Sequence, residues 1–545
     1  MKGRRQKAER RSAQPRALCL ILFSAFCLLP SAFQTPSAFA TPVSSAIKGR
    51  VTSEGRAADH VLVTATSSAL MHARTTMTGP RGTYWLGALP PGDYEITFSR
   101  KGLTTLTRRA VVELARVARV DASLDPSEDE ESVTSTATTI NVSDTTEITT
   151  HFPSALLERL PIHRDPYSAA LVGPGAFTLS SVTNIDSSLM SNNEQFGEEI
   201  IEAVTVIRGG LPVEYARFHG SIVTAITKSG GEEFHVSLRD TMSSGDHVFE
   251  SASGGRIVPE RLWFFAAGWT GEVDGYAIKL SAQPGARDLF AGEILDTNES
   301  TLSAFRYTGF FGHRLAIESV ADRMEDVDTV SAKATYVMPS SSGDHILSAG
   351  GSLFEGASSF FFSDRFSISR FTVNAGVRRD DGGFDPRVAI TYDVLGTGRR
   401  AIVATYGEYN DPALRITSIG YAGAIGSSGG ARIDAFRRQS PGSVIYDVQL
   451  DGRYRLFDQF EFGANYTYVD DLDDTANAWV SAEFPFGDHR FGATVLERQF
   501  AESWFTDFAV RYAIPFPRFT LTLASDVMNA FDDPREVRFW ARARY

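Results

Sequence analysis

The sequence has only two cysteines, Cys19 and Cys27, and both fall within its first 27 residues. They lie inside an apolar run, Ala17 to Leu29, that follows a basic stretch from Lys2 to Arg16 and precedes Ala38-Phe39-Ala40 before Thr41. This is the pattern of a cleavable secretory signal spanning residues 1–40, and its apolar part, about 13 residues, is shorter than the ~20 that cross hydrocarbon as a helix. The expected mature chain begins near Thr41 without a thiol, which excludes disulfides, thiolate metal sites and a cysteine nucleophile. Phe26 stands where a lipoprotein signal carries a small residue, so no lipid anchor is expected.

Basic charge is also scarce. Residues 1–40 hold seven Lys/Arg and one Glu of the chain's 53 basic and 66 acidic residues, so the rest carries about −19, and nucleic acid is not an expected partner. No later stretch is apolar for ~18 residues, so a membrane, if crossed, must be crossed by a closed barrel. Catalytic signatures are missing as well: residues 45–126 hold no His-x-x-Glu or His-Glu-x-x-His motif, and the ten histidines are scattered singly along the chain. His163-Arg164-Asp165 has Ala170 where a kinase loop needs Asn, and Gly396-Thr397-Gly398 is too short for a dinucleotide fingerprint and reads as a turn. No enzyme activity, cofactor or metal is expected. Acidic clusters at 325–328, 380–381, 470–474 and 532–533 fall where turns are expected; oxygen-rich loops can hold Ca²⁺, but such runs are usually solvated.

Three regions follow the signal. From Ser45 to about Pro126, short alternating runs such as His60 to Ala65 are broken by Gly and Pro. Gly79-Pro80-Arg81-Gly82-Thr83-Tyr84 and Leu89-Pro90-Pro91-Gly92-Asp93-Tyr94 each set a tight turn before a strand, which predicts a small β-sandwich over 45–126. These phrases resemble the carboxypeptidase regulatory-like domain. Residues 127–150 are rich in Ser, Thr, Asp and Glu and predict a flexible linker. Within it, Glu131, Ser132, Val133, Thr134, Ser135, Thr136 and Ala137 have the β-branched character of a segment able to add as an edge strand to a partner's sheet. The heptad resembles a TonB box; the plainer reading is ordinary linker.

Residues 151–232 predict a compact mixed domain, with a short helix at Leu156 to Leu160 stopped by Pro161 and an apolar strand at Ala203 to Ile207. Arg208, Gly209 and Gly210 end that strand. Then come Leu211 to Arg217 with Glu214 and Tyr215, Gly220 to Ile226, and Thr227, Lys228, Ser229 and Gly230. Together these resemble the end of a TonB-dependent receptor plug and its passage into the first barrel strand. The segment Thr178 to Phe196 is shorter and more polar than the middle of such plugs.

From 233 to 545, runs of about ten residues alternate, the dyad pattern of a transmembrane barrel. Phe371, Val373, Ala375 and Val377 oppose Thr372, Asn374 and Gly376; Phe460, Phe462, Ala464, Tyr466 and Tyr468 oppose Glu461, Asn465 and Thr467. Trp263, Trp269, Tyr307, Tyr392, Tyr406, Tyr446, Tyr454 and Tyr512 sit near strand ends, as interfacial girdles require. A soluble sandwich seldom carries such aromatics at both ends of its strands. Turn parsing predicts about 22 strands with short connections, or 20 if a long loop from about Glu408 to Gly430 holds no strand. The last run alternates Val537, Phe539, Ala541, Ala543 and Tyr545 against Arg538, Trp540, Arg542 and Arg544.

Phe384-Asp385-Pro386-Arg387 and Asp526 to Phe531 also resemble barrel segments of Oar-like TonB-dependent receptors. The resemblance implies an all-β protein of the Gram-negative outer membrane: a barrel in lipid, a plug, an extracellular substrate of unidentified nature, and a TonB-like energy-transducing partner reached through residues 131–137. A non-transporting surface receptor or adhesin and a structural barrel are the alternatives.

Overall fold

The computed structural model describes residues 45–545 apart from 91, 113–116, 127–131, 136–145, 164–165, 176–181, 186–187, 191–195, 216–220 and short stretches at the barrel's connections. The expected signal therefore lies outside the described residues, as do Glu131, Thr136, Ala137 and Gly220. No described helix is long and apolar enough to cross a membrane.

Strict alternation builds two small sheets over the first region. One pairs β1 (Ser45–Ser53) with β2 (Arg56–Ala57), β5 (Thr83–Leu89), β8 (Val117–Arg119) and β9 (Ala122–Ser123). The other runs β10 (Ser132–Ser135), β7 (Thr105–Val112), β6 (Gly92–Ser99), β3 (Leu62–Thr66), β4 (Arg74–Met77). Ile47, Val51, Val63, Ile96 and Phe98 are wholly buried between them. Two buried phenols are satisfied by carbonyls, Tyr84 by Val120 and Tyr94 by Pro90, each at 2.7 Å. Burial raises the pKa of both and outweighs the opposing pull of Arg119 on Tyr84 and of Arg74 on Tyr94.

The next unit is a five-stranded sheet, β11 (Ile148–Pro153), β14 (Ile201–Gly209), β15 (Ile222–Thr227), β12 (Val182–Ile185), β13 (Ser188–Met190), with helices α1 (Ser154–Leu157) and α2 (Pro166–Leu171). Covered on both faces, β14 loses the alternation of a half-exposed strand: Ala203 to Gly209 are all buried.

Twenty-two antiparallel strands, from β16 (His235–Met242) to β37 (Glu536–Arg544), then close on themselves. Closure joins Ser237 to Arg544 through Met242 to Phe539, and Val236 and Tyr545 exchange backbone hydrogen bonds beyond it. A closed barrel leaves no unpaired edge in lipid. Every connection is short, from two residues (381–382) to seven (529–535). The expected long loop at 408–430 is absent because β28 (Arg400–Asn410), β29 (Ala413–Ile425) and β30 (Gly429–Ser440) run through it, which fixes the count at 22.

The faces follow the pleat. In β26 (Phe371–Asp380), Phe371, Ala375 and Val377 are exposed outward while Thr372 and Arg378 are buried inward. Two girdle assignments are corrected. Trp263 and Trp269 in β18 (Leu262–Thr270) point into the lumen and are buried, because Trp263 donates to Glu232 and Trp269 packs against the inner sheet's apolar cluster. Aromatic type alone does not tell a lipid anchor from a lumen filler. Asp380 is likewise no turn residue: it ends β26, buried beside Arg378.

Candidate functional site

The lumen wall is lined with charge. Neighbouring strands pair Arg306 with Glu293 at 2.7 Å and Arg438 with Asp447 at 2.7 Å, and Arg538 with Asp526 at 3.5 Å. Alternation forces these side chains inward, and opposite charges across a strand pair offset part of the desolvation that each would suffer alone.

The unit 146–231 occupies this lumen and is held from many directions. On one side Arg542 of β37 grips Glu158 with two bonds of 2.9 Å and reaches Glu199 at 3.3 Å. Arg538 contacts Glu198 at 3.3 Å and the Ile162 carbonyl. Across the lumen Lys333 of β23 (Val327–Pro339) sits between Glu214, at 3.2 Å, and Glu318, at 3.3 Å. Arg365 of β25 (Ala357–Ile368) binds Glu147, and Arg387 of β27 (Gly383–Asp393) donates to the Pro212 carbonyl at 2.6 Å. Among the described residues, buried apolar contact between the unit and the wall gathers mainly in two patches. One joins Leu156, Leu160, Ile200 and Val204 to Phe265, Trp269 and Trp479 of the wall; the other joins Ile148, Ile207, Leu211 and Tyr215 to Tyr409, Ile416 and Phe436.

The motif residues take defined places. Arg208 is buried in the β14 end, where it donates to Gln449 of the wall at 2.5 Å and to Thr150 at 3.0 Å. Gly210 has φ +64, and a Cβ there would lie 2.1 Å from the Thr146 carbonyl, so neither backbone nor space admits a side chain. Gly209 packs against Phe436 and Ile148. Glu214 and Tyr215 line a cavity described below. Thr227 donates to Glu293 at 2.8 Å, and Lys228 lies 3.5 Å from Glu199. Ser229 and Gly230 carry the chain out to β16; a Cβ on Gly230 would meet the Phe264 carbonyl at 2.2 Å, so the exit hugs the wall. The phrase that carries these glycines is local, whereas the wall partners of the unit lie up to 384 residues away, as Arg542 does from Glu158, and leave no local signal.

Of the heptad, Ser132–Ser135 form β10, parallel to β7 in the register Ser132 to Thr105 through Ser135 to Arg108. The expected loose linker is thus anchored at this point. It is also shorter than expected: Glu147 is buried against Arg365 and Ile148 already begins the inner sheet.

The sandwich lies at the rim where β16 starts and β37 ends. Arg74 donates to the carbonyl of Ala286, in the turn after β19 (Gly275–Gly285), at 2.8 Å and stacks on Phe310. His72 bonds the Gln283 carbonyl at 3.3 Å, and Arg119 lies 3.7 Å from Asp393. Burial at this seam lowers the Arg74 pKa to about 9. Between sandwich, inner unit and wall lies a cavity of about 360 Å³, lined by Glu147, Glu214, Tyr215, Glu318, Lys333 and Arg365 among others. Among the described residues no cluster of three or more His, Cys, Asp or Glu is arranged to hold a metal ion.

Comparison with known proteins agrees with this architecture. A model of the carboxypeptidase regulatory-like domain matches residues 46–125. Over 280 residues, 41% of this chain, the sequence is 29% identical to the TonB-dependent transporter Oar of Myxococcus xanthus; the match spans 26% of that protein, about a quarter of its length. Among solved structures, the siderophore receptor PirA of Acinetobacter baumannii superposes with a TM-score of 0.60 at 11% identity, covering 74% of this chain and 99% of that one. The ferric preacinetobactin receptor BauA of the same organism gives 0.61 at 11% identity, covering 75% and 98%. Likeness at 11% reports the fold. With its closed 22-strand barrel and outward apolar face, the chain is an outer-membrane protein of a Gram-negative cell.

Proposed function

We propose that this chain is a TonB-dependent outer-membrane receptor that mediates energy-coupled uptake, with residues 146–231 as a movable plug and 131–137 as the segment its energy-transducing partner engages. The observation that carries the reading is the way the lumen is closed. The inner unit is held to the wall by ion pairs and hydrogen bonds from many strands beside two apolar patches, and residues 136–145 lead into it from β10. Breaking a buried pair by removing one partner costs about 3–5 kcal/mol, but a domain that moves can exchange such pairs for water, which makes a polar seal reversible. Binding alone cannot drive uptake against a gradient, so work must enter from outside the barrel, and the segment leading into the plug is where it would enter.

On this reading the sandwich rim faces the periplasm and the other rim the exterior. Exterior connections of two to seven residues offer little surface to an adhesin, which weighs against the non-transporting alternative. The absence of a catalytic constellation from the sequence fits transport rather than an enzyme. Substrate would then meet lumen-facing side chains and the plug rather than long loops.

The test is cross-linking in cells. A single cysteine at Ser132 is expected to trap a TonB-like protein in an energised envelope, and deletion of 131–137 is expected to remove the adduct while leaving a heat-modifiable barrel. An envelope in which no cross-link forms from 132 or its neighbours would remove the energy-coupled reading.

A further inference from the structure

Three parts of the chain meet around the cavity at the sandwich rim, and the charges that line it do not balance. Some are matched: Arg365 pairs with Glu147, and Lys333 sits between Glu214 and Glu318. Three arginines remain, Arg74 from the sandwich and Arg287 and Arg314 from turns of the barrel, so five cations face three carboxylates in a chain whose net charge is −13. We propose that this cavity binds a small organic anion, a carboxylate or phosphate joined to an apolar body, with Arg74 and Arg314 as its charge partners.

The surroundings of each arginine carry this. Arg74 is 7% exposed; its guanidinium donates to the Ala286 carbonyl at 2.8 Å and lies over the Phe310 ring, and among the described residues no carboxylate is within ion-pair reach of it. A buried cation held only by a carbonyl dipole and a ring face lacks a counter-ion, and burial has pulled its pKa down to about 9. Arg314 is exposed in the connection before β22 (Leu315–Met324), and its guanidinium has no partner among the described residues. Arg287 is already engaged, 3.7 Å from Asp288 and stacked on Phe311. Arg74 and Arg314 are therefore the two with charge to spare. The guanidinium fork matches the paired oxygens of a carboxylate or phosphate, which makes these side chains suited to such a group.

The rest of the lining asks for more than a bare ion. Trp85 and Leu86 of β5, Phe310 and Leu315 of the wall and Ile207 of the inner unit give it apolar surface. Its volume of about 360 Å³ falls within the roughly 300 to 1,000 Å³ of small-molecule sites. Because sandwich, wall and inner unit all contribute, an occupant ties the sandwich to the rim. Binding there requires no energy coupling.

The experiment uses the full-length protein in non-ionic detergent. The probes are trifluoromethylbenzoate, trifluoromethylphenyl phosphate and the uncharged trifluoromethylbenzyl alcohol, each read by fluorine NMR against protein-free micelles. Saturable binding of at least one anion, tenfold or more tighter than the alcohol, is expected, and the tighter of the two anions tells a carboxylate ligand from a phosphate. Arg74→Gln is expected to weaken that binding at least tenfold and Arg314→Gln at least threefold. Hydrogen exchange in β4 and in the turn 286–287 is expected to slow when the anion is added, and to slow less in Arg314→Gln at the same probe concentration. An alcohol that binds as tightly as the anions would overturn the inference, as would anions that bind Arg314→Gln as tightly as the native protein. So would a lack of saturable binding by every probe while the barrel remains heat-modifiable. Should Arg74→Gln release the sandwich, Arg314→Gln decides alone, since its side chain holds no contact of the fold among the described residues.

Discussion

Val373 and Asn374 are consecutive in β26 yet stand in different media, the first outward toward lipid and the second inward, lining the cavity and within 3.5 Å of Thr146. Arginine at 373 is expected to cost ~2 to 4 kcal/mol near the midplane and arginine at 374 much less, since the lumen already holds paired charge. The heat-modifiable fraction after refolding into vesicles measures the difference; equal yields would mean that the faces are exchanged. Arg542 offers a second residue-scale case. Replacing it with Ala leaves Glu158 and Glu199 without their wall partner, at a cost of about 3–5 kcal/mol to docking of the inner unit. The expected readout is faster protease cutting in 146–231, with the barrel unchanged; the same rate as the native protein would show that these bonds do not hold the inner unit. The outward positions were legible because period-two alternation is a local signal. The wall partners were not, because an ion pair between Arg542 and Glu158 is written nowhere near either residue.

At the scale of elements, the strands show how far alternation carries. Strand β29 was readable only as an option within a presumed loop, since its Gly and Ser content weakens the propensity signal, and its pairing with both neighbours decides the matter. β10 shows the opposite limit: its β-branched residues announced an extended segment, but nothing in four residues announces which sheet it joins. The sandwich seam makes a prediction at this scale. Arg74→Ala removes a hydrogen bond and a cation–π contact worth together about 1–3 kcal/mol, and hydrogen exchange is expected to rise at β4 and at the turn 286–287 while the strands of the barrel stay protected. Unchanged exchange there would show that the sandwich is held at the rim by other contacts.

Taken whole, the molecule is a 22-strand barrel with short connections, an inner unit held to its wall by ion pairs and two apolar patches, and a sandwich at one rim. Removing residues 146–231 is expected to convert a non-conducting protein into an open pore in planar bilayers, because 22 strands enclose a lumen too wide for wall side chains to fill. On the proposed reading, force on the segment before the inner unit opens the barrel. The direct measurement is conductance of the single reconstituted protein while it is pulled from a handle attached at Ser132 on the sandwich side. A stepwise rise in conductance under load is expected, with closure on release and an intact barrel afterwards. A barrel that stays closed until its own strands unravel, or one that conducts before any load is applied, would contradict it.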